Sequence, residues 1–221
     1  MFGAGLNRRR FLVCAGAGVG AAAGTIALST TAVVAQKTVD EVPLDKLLAR
    51  DDLPDLSIGS KDAKVTIVEY ASMTCPACAN FHNSIFPKLK EKYVDTGKVR
   101  FIMREFPLDQ LAAAVSMLSR CAGEGKSIPF ISVLFKTQSQ WRSRNPLPKL
   151  MEISKQAGIT KAAFEKCLDN RDMLEKLVKH RDTAGKVYGV NATPSFFVNG
   201  KRLKGGYDLA SFDKVLAPLL K

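Results

Sequence analysis

Two cysteines separated by two residues can close a disulfide, supply half of a metal site or exchange sulfur bonds with another protein. Cys75-Pro76-Ala77-Cys78 presents that choice. Pro76 suits the first turn of a helix, which sets Cys75 at the helix N-terminus and Cys78 one turn in, on the same side. Free N–H groups and the helix dipole favour an anion there, and a cysteine so placed can fall to a pKa of about 3.5–7.5. The thiolate is the attacking species in thiol–disulfide exchange. Cys75 is therefore the expected nucleophile, and the deeper Cys78 the sulfur that resolves a mixed disulfide. Stabilising the thiolate also stabilises the dithiol, which makes the disulfide a stronger oxidant. Two other uses stay open. A zinc site would recruit His82, four residues after Cys78, but no second Cys-x-x-Cys pair exists. An inert bridge is the other, although structural disulfides usually close longer loops. Haem attachment needs a histidine directly after the second cysteine, and Ala79 stands there.

The elements around this pair are legible. Lys64-Val65-Thr66-Ile67-Val68-Glu69-Tyr70 is β-branched and apolar, a buried strand. Cys78, Phe81, Ile85, Leu89 and Tyr93 recur at three- and four-residue spacing, one face of a helix that Gly97 ends. Val99–Met103 reads as a second strand, so strand, helix and strand form a βαβ unit with parallel strands. From Leu108 to about Tyr188 the pattern is helical, broken at Asn145-Pro146-Leu147-Pro148. Leu174, Leu177, Val178, Ala184 and Val187 mark its long last helix. Ser195–Val198 is a strand, Asn199-Gly200 a hairpin turn, Lys201–Lys204 its partner and Asp208–Leu219 a closing helix. The polar, proline-punctuated residues 36–63 form an N-terminal extension with a short helix near Leu44–Ala49. An α/β core in two parts, 64–106 and 184–221, with a helical insertion over 107–183, accounts for the order.

The chain has 221 residues and a formal charge of +12, with 46% hydrophobic residues. That is ordinary globular composition and excludes wholesale disorder. Residues 1–35 carry Arg8, Arg9 and Arg10, no acid, a weakly apolar stretch from Phe11 to Val34 and a small-residue end at Val33-Val34-Ala35. This is the layout of an export signal, and Asn7-Arg8-Arg9-Arg10-Phe11-Leu12 resembles the twin-arginine motif. A retained membrane anchor is the alternative. Without those residues the charge is +9. Lysines interleave with acids rather than forming a stripe with stacking aromatics, which argues against a nucleic-acid partner. No nucleotide loop, paired catalytic carboxylates or Ser–His–Asp set is present, and two sulfurs need no cofactor or metal. His82, seven residues after Cys75, is expected at the core edge or surface rather than tuning the redox pair. His180, in a charged run, is expected in solvent.

Val65–Glu69, Cys75-Pro76-Ala77-Cys78 and Thr193-Pro194-Ser195-Phe196-Phe197-Val198-Asn199-Gly200 together resemble the DsbA-like branch of the thioredoxin superfamily. Cys121-Ala122-Gly123-Glu124-Gly125-Lys126 resembles its exported bacterial members, and the likeness covers nearly all of residues 55–221. The resemblance implies a thioredoxin-like fold with an inserted helical domain. It implies a periplasmic protein-disulfide oxidoreductase that donates its Cys75–Cys78 disulfide to exported proteins and is reoxidised by a DsbB-type membrane partner. An isomerase or reductase using the same pair is the alternative. It further implies that Pro194 is cis and faces the Cys75 sulfur, that the backbone at Thr193 receives an extended substrate, and that Glu69 is the buried acid beneath the pair, relaying a proton for Cys78. One departure concerns the central dipeptide. Ala77 stands where the most oxidising relatives have histidine, which implies a less oxidising couple. Cys121 and Cys167 remain. In an exported protein they are expected to form a second, non-catalytic disulfide, with two buried free thiols as the alternative.

Overall fold

The computed structural model describes residues 39–49, 52–123 and 125–221. The expected export signal over residues 1–35 lies outside the described residues. Five strands, β1 (Leu56–Ile58), β2 (Val65–Ala71), β3 (Val99–Glu105), β4 (Ser195–Val198) and β5 (Lys201–Arg202), form one sheet in the order β1-β3-β2-β4-β5. β2 and β3 run parallel, Val65 opposite Val99 through Ala71 opposite Glu105, as a βαβ unit requires. β1, β4 and β5 add antiparallel to β3, β2 and β4. Every residue of β2 is buried, so both faces are covered. Val65, Ile67 and Ala71 pack on one face with Phe81, Leu89, Phe101 and Phe212. Val68 and Tyr70 pack on the other with Leu47, Ala184, Tyr188 and Phe197. Glu69 lies in the first register, on the side of the helix that follows β2.

The helices are α1 (Leu44–Leu47), α2 (Pro76–Asn80), α3 (Phe86–Leu89), α4 (Gln110–Cys121), α5 (Ser127–Lys136) and α6 (Gln138–Trp141). They continue with α7 (Leu147–Gln156), α8 (Lys161–Leu168), α9 (Arg171–Lys186) and α10 (Leu209–Leu219). Three features depart from the sequence expectations. The helix after β2 is not uniform, because wider π-type turns occupy Phe81–Ile85 and Lys90–Val94 on either side of α3. Pro87 is the physical reason for the first: it has no N–H to continue the ladder, and the Phe86 N–H reaches back five residues to Phe81 O. β1 was not expected in the polar extension. β5 is shorter than Lys201–Lys204.

Candidate active site

β2 delivers the chain to Ser72-Met73-Thr74, and this turn is anchored from the helical insertion. The Cys75 N–H donates to Ser72 O at 3.1 Å. Thr74 Oγ1 donates to Asp109 Oδ2 at 2.7 Å, while Asp109 Oδ1 accepts from the Ala112 N–H and so caps α4. Gln138 of α6 donates from its one amide nitrogen to Met73 O at 2.8 Å and Cys75 O at 3.0 Å.

Cys75 is the N-cap of α2, its Sγ accepting from the Cys78 N–H at 3.4 Å. On its other side the thiol meets the carbonyl of Thr193 at 3.2 Å. The Thr193–Pro194 peptide is cis. The loop before β4 thus reaches the start of α2 at Thr193. The Cys75 pKa is lowered to about 5. The hydrogen bond from the Cys78 side chain is the largest cause. Burial opposes it, while the Thr193 side chain and the N–H groups of Cys78 and Ala77 add to the lowering. Cys78, fully buried, is pushed strongly upward by loss of solvent, by its hydrogen bond to Cys75 and by the negative charge of Glu69. Both cysteines are free thiols. A low-pKa sulfur at a helix start with a high-pKa sulfur behind it is an asymmetric pair: one can attack as thiolate, the other leaves or attacks only with a proton transfer.

Glu69 is fully buried below the pair. Its Oε2 lies 2.8 Å from His82 Nε2. His82 is only 5% exposed, which corrects the expectation of a core-edge or surface residue. The reason is its position: four residues after Cys78, it falls on the helix face turned to the sheet, where the π-type turn begins. Its ring stacks on Phe135 at 4.5 Å and meets Phe81 and Phe86 at 5.3 and 5.0 Å. His180 is likewise buried, not solvated: Leu177, His180 and Ala184 form the inner stripe of α9, and its ring stacks with Tyr70. Leu174 and Val187, expected on that stripe, are exposed. Pro76 begins α2 and Ala77 lies between the sulfurs.

Cys121 of α4 and Cys167 of α8 are joined in a disulfide that closes 46 residues of the insertion, apart from Cys75 and Cys78. Among the described residues, no three His, Cys, Asp or Glu side chains are placed to hold a metal ion. None of the helices among them is long and apolar enough to cross a membrane. Gln138 and the Glu69–His82 contact escaped sequence reasoning. The contact was signalled only by the spacing of His82 from Cys78.

Residues 51–217 match the family model described as Thioredoxin. A Rickettsia bellii protein, provisionally named a protein-disulfide oxidoreductase, is 38% identical over 162 residues, covering 72% of this chain and 62% of the relative. A Rickettsia felis protein of the same provisional name is 32% identical over 196 residues, 88% of this chain and 70% of the relative. The chain thus spans somewhat under two thirds of the Rickettsia bellii relative. Among solved structures, Wolbachia pipientis α-DsbA1 superposes with a TM-score of 0.73 at 32% identity, covering 80% of this chain and 95% of that one. Oxidised BdbD of Bacillus subtilis gives 0.66 at 25% identity, covering 75% and 92%.

Proposed function

We propose, from the premise that the chain belongs to the DsbA-like branch of the thioredoxin family, that it is a protein-disulfide oxidoreductase donating its Cys75–Cys78 disulfide to exported proteins. One observation carries the reading. The Cys75 sulfur caps a helix, lies 3.2 Å from the carbonyl that precedes a cis proline, and has a buried second thiol one turn behind. In the donating direction a substrate thiolate attacks Cys75 Sγ and Cys78 leaves, taking up a proton through Glu69. A second substrate thiol then displaces Cys75 as its stabilised thiolate. The substrate's two thiols lose two electrons and two protons, Cys78 ends as a thiol and Cys75 as its thiolate, and the remaining proton goes to solvent. The half-buried backbone at Thr193 is the place for hydrogen bonds to an extended segment of substrate, with Pro194 setting its approach. The resemblance of Asn7–Leu12 to the twin-arginine motif supports a periplasmic reaction, with a DsbB-type membrane partner restoring the disulfide.

A pKa of about 5 at Cys75 favours donation over reduction, because the thiolate stabilises the spent form at neutral pH. The test is oxidation of a reduced two-cysteine peptide by the oxidised full chain. The expected result is one peptide disulfide per protein, abolished by Cys75→Ser. Absence of peptide oxidation by the unaltered chain would overturn the reading. Efficient unscrambling of misfolded ribonuclease would move it to the isomerase alternative.

A further inference from the structure

The acid beneath the pair is not alone, and its companion is oriented. Glu69 and His82 are both buried, and they share one contact, Oε2 to Nε2 at 2.8 Å. Each keeps a second polar atom, Glu69 Oε1 and His82 Nδ1, that is buried and has no protein partner. The flanking side chains are apolar. Met103 of β3 and Phe196 of β4 flank Glu69 in register. Phe81, Phe86 and Phe135, from the π-type turn, α3 and α5, surround the imidazole. Glu69 and Cys75 both act on the Cys78 thiol.

We infer that His82 is a positioning residue for the proton that Cys78 needs: its Nε2–H donates to Glu69 Oε2 and so directs the carboxyl's exchangeable proton to Oε1, the oxygen left for Cys78. The inference rests on the reading of Cys78 as the leaving and resolving sulfur. With Oε2 held as an acceptor, the acid form of Glu69 carries its proton on Oε1. When the Cys75–Cys78 bond is broken by an incoming thiolate, the electron pair of that bond goes to Cys78 Sγ. The proton on Oε1 moves to that sulfur, and the new carboxylate is stabilised by the Nε2–H already in place. In the opposite direction Cys78 returns the proton to Oε1 as it attacks. A second carboxylate oxygen free to rotate would split the proton between two positions, only one of which serves the sulfur. The aromatic box keeps the imidazole plane fixed, and the π-type turn at Phe81–Ile85 carries the ring at this place.

The test uses the full oxidised chain and reduced glutathione, reading loss of the Cys75–Cys78 disulfide from pH 5 to 9 as a rate ratio to the unaltered protein. The ratio removes glutathione's own titration. His82→Leu is expected to slow the reaction about tenfold at the acid end and less at the alkaline end, and Glu69→Gln to do the same. The double variant is expected to be no slower than Glu69→Gln alone, because His82 acts through Glu69. His82→Gln, which keeps an N–H donor without a titrating ring, is expected to recover most of the rate. A ratio constant across pH, a double variant slowed by the product of the two single effects, or no recovery in His82→Gln would each overturn the inference. Failure of the donor reading is seen separately, as loss of peptide oxidation by the unaltered chain while its glutathione reaction persists.

Discussion

At Cys75 the sulfur is held by groups that contribute little singly and much together. The Cys78 side chain and the N–H groups of the first helical turn favour its charge, and burial costs less than they supply. This holds only while the turn before α2 keeps its shape, and Gln138 is the side chain that fixes it from outside. Its amide satisfies the carbonyls of Met73 and Cys75 in a buried place, 65 and 63 residues away in sequence. Gln138→Leu leaves Met73 O without that donor, and a buried carbonyl so stranded costs about 1–3 kcal/mol. The urea midpoint of the variant is expected to fall by the corresponding amount, and the Cys75 thiolate absorbance to titrate at higher pH as the turn loosens. An unchanged midpoint would show that solvent reaches these carbonyls. The contrast with Cys75 and Cys78 explains what the sequence disclosed. Their chemistry follows from four consecutive residues and a helix start, so it is local. Gln138 acts only through tertiary distance and leaves no spacing signal. His82 left a faint one: a residue four after a buried cysteine shares its helix face.

Among the elements, those read correctly from sequence are those whose pattern is dense. β2 and β3 are long apolar runs and pair in parallel. The Asn199-Gly200 turn was marked by a dipeptide whose two positive φ values, 45° and 87°, a two-residue hairpin demands. β1 has three residues, Leu56 and Ile58 half-buried and Ser57 exposed, and gave no run to detect. The π-type turn at Phe81–Ile85 arises from Pro87 inside a helical stripe, which leaves the apolar spacing intact and alters only the ladder. The Asn199-Gly200 turn also does more than reverse the chain. The Thr66 N–H donates to Asn199 Oδ1 at 2.7 Å, the Val42 N–H donates to Gly200 O at 2.9 Å, and a Cβ on Gly200 would lie 2.2 Å from Val42 O. Gly200→Ala therefore meets both a disfavoured φ and a backbone clash. It is expected to lower stability by about 2–3 kcal/mol, since the Val42 segment must move away. Chemical denaturation measures the loss, and protection of the Val42 amide against hydrogen exchange locates it. A loss under 0.5 kcal/mol, about the size of an ordinary surface change, would mean the extension does not rest on this turn.

Across the whole molecule the reactive sulfur is coupled to global stability, because its ionisation differs between the folded and unfolded chain. The folded pKa of Cys75, about 5, lies below the unfolded thiol value of 9.0. A group depressed in this way stabilises the fold fully above the unfolded value. The contribution shrinks as pH falls and is gone below the folded value. Only the dithiol form carries it, since a disulfide does not titrate. From pH 4.5 to 7.5 the linkage for a four-unit depression gives the reduced protein about 3 kcal/mol over the oxidised one, which we place at about 2 kcal/mol because the sulfur keeps some solvent and its charge is screened. Cys78 adds nothing in this window, because its upward shift begins to cost stability only where an unfolded thiol would ionise. The Cys121–Cys167 bridge is present in both forms if the reductant is chosen to spare it, so it cancels from the difference. The measurement is a pair of urea unfolding curves, dithiol and disulfide, at the two pH values. The gap is expected to shift toward the dithiol at pH 7.5, and Cys75→Ser, which forms no Cys75–Cys78 disulfide, is expected to lack the gain in stability between pH 4.5 and 7.5 that the unaltered dithiol shows. A gap independent of pH would mean that the charge on Cys75 is not held by the fold, and with it the driving force for giving the disulfide away.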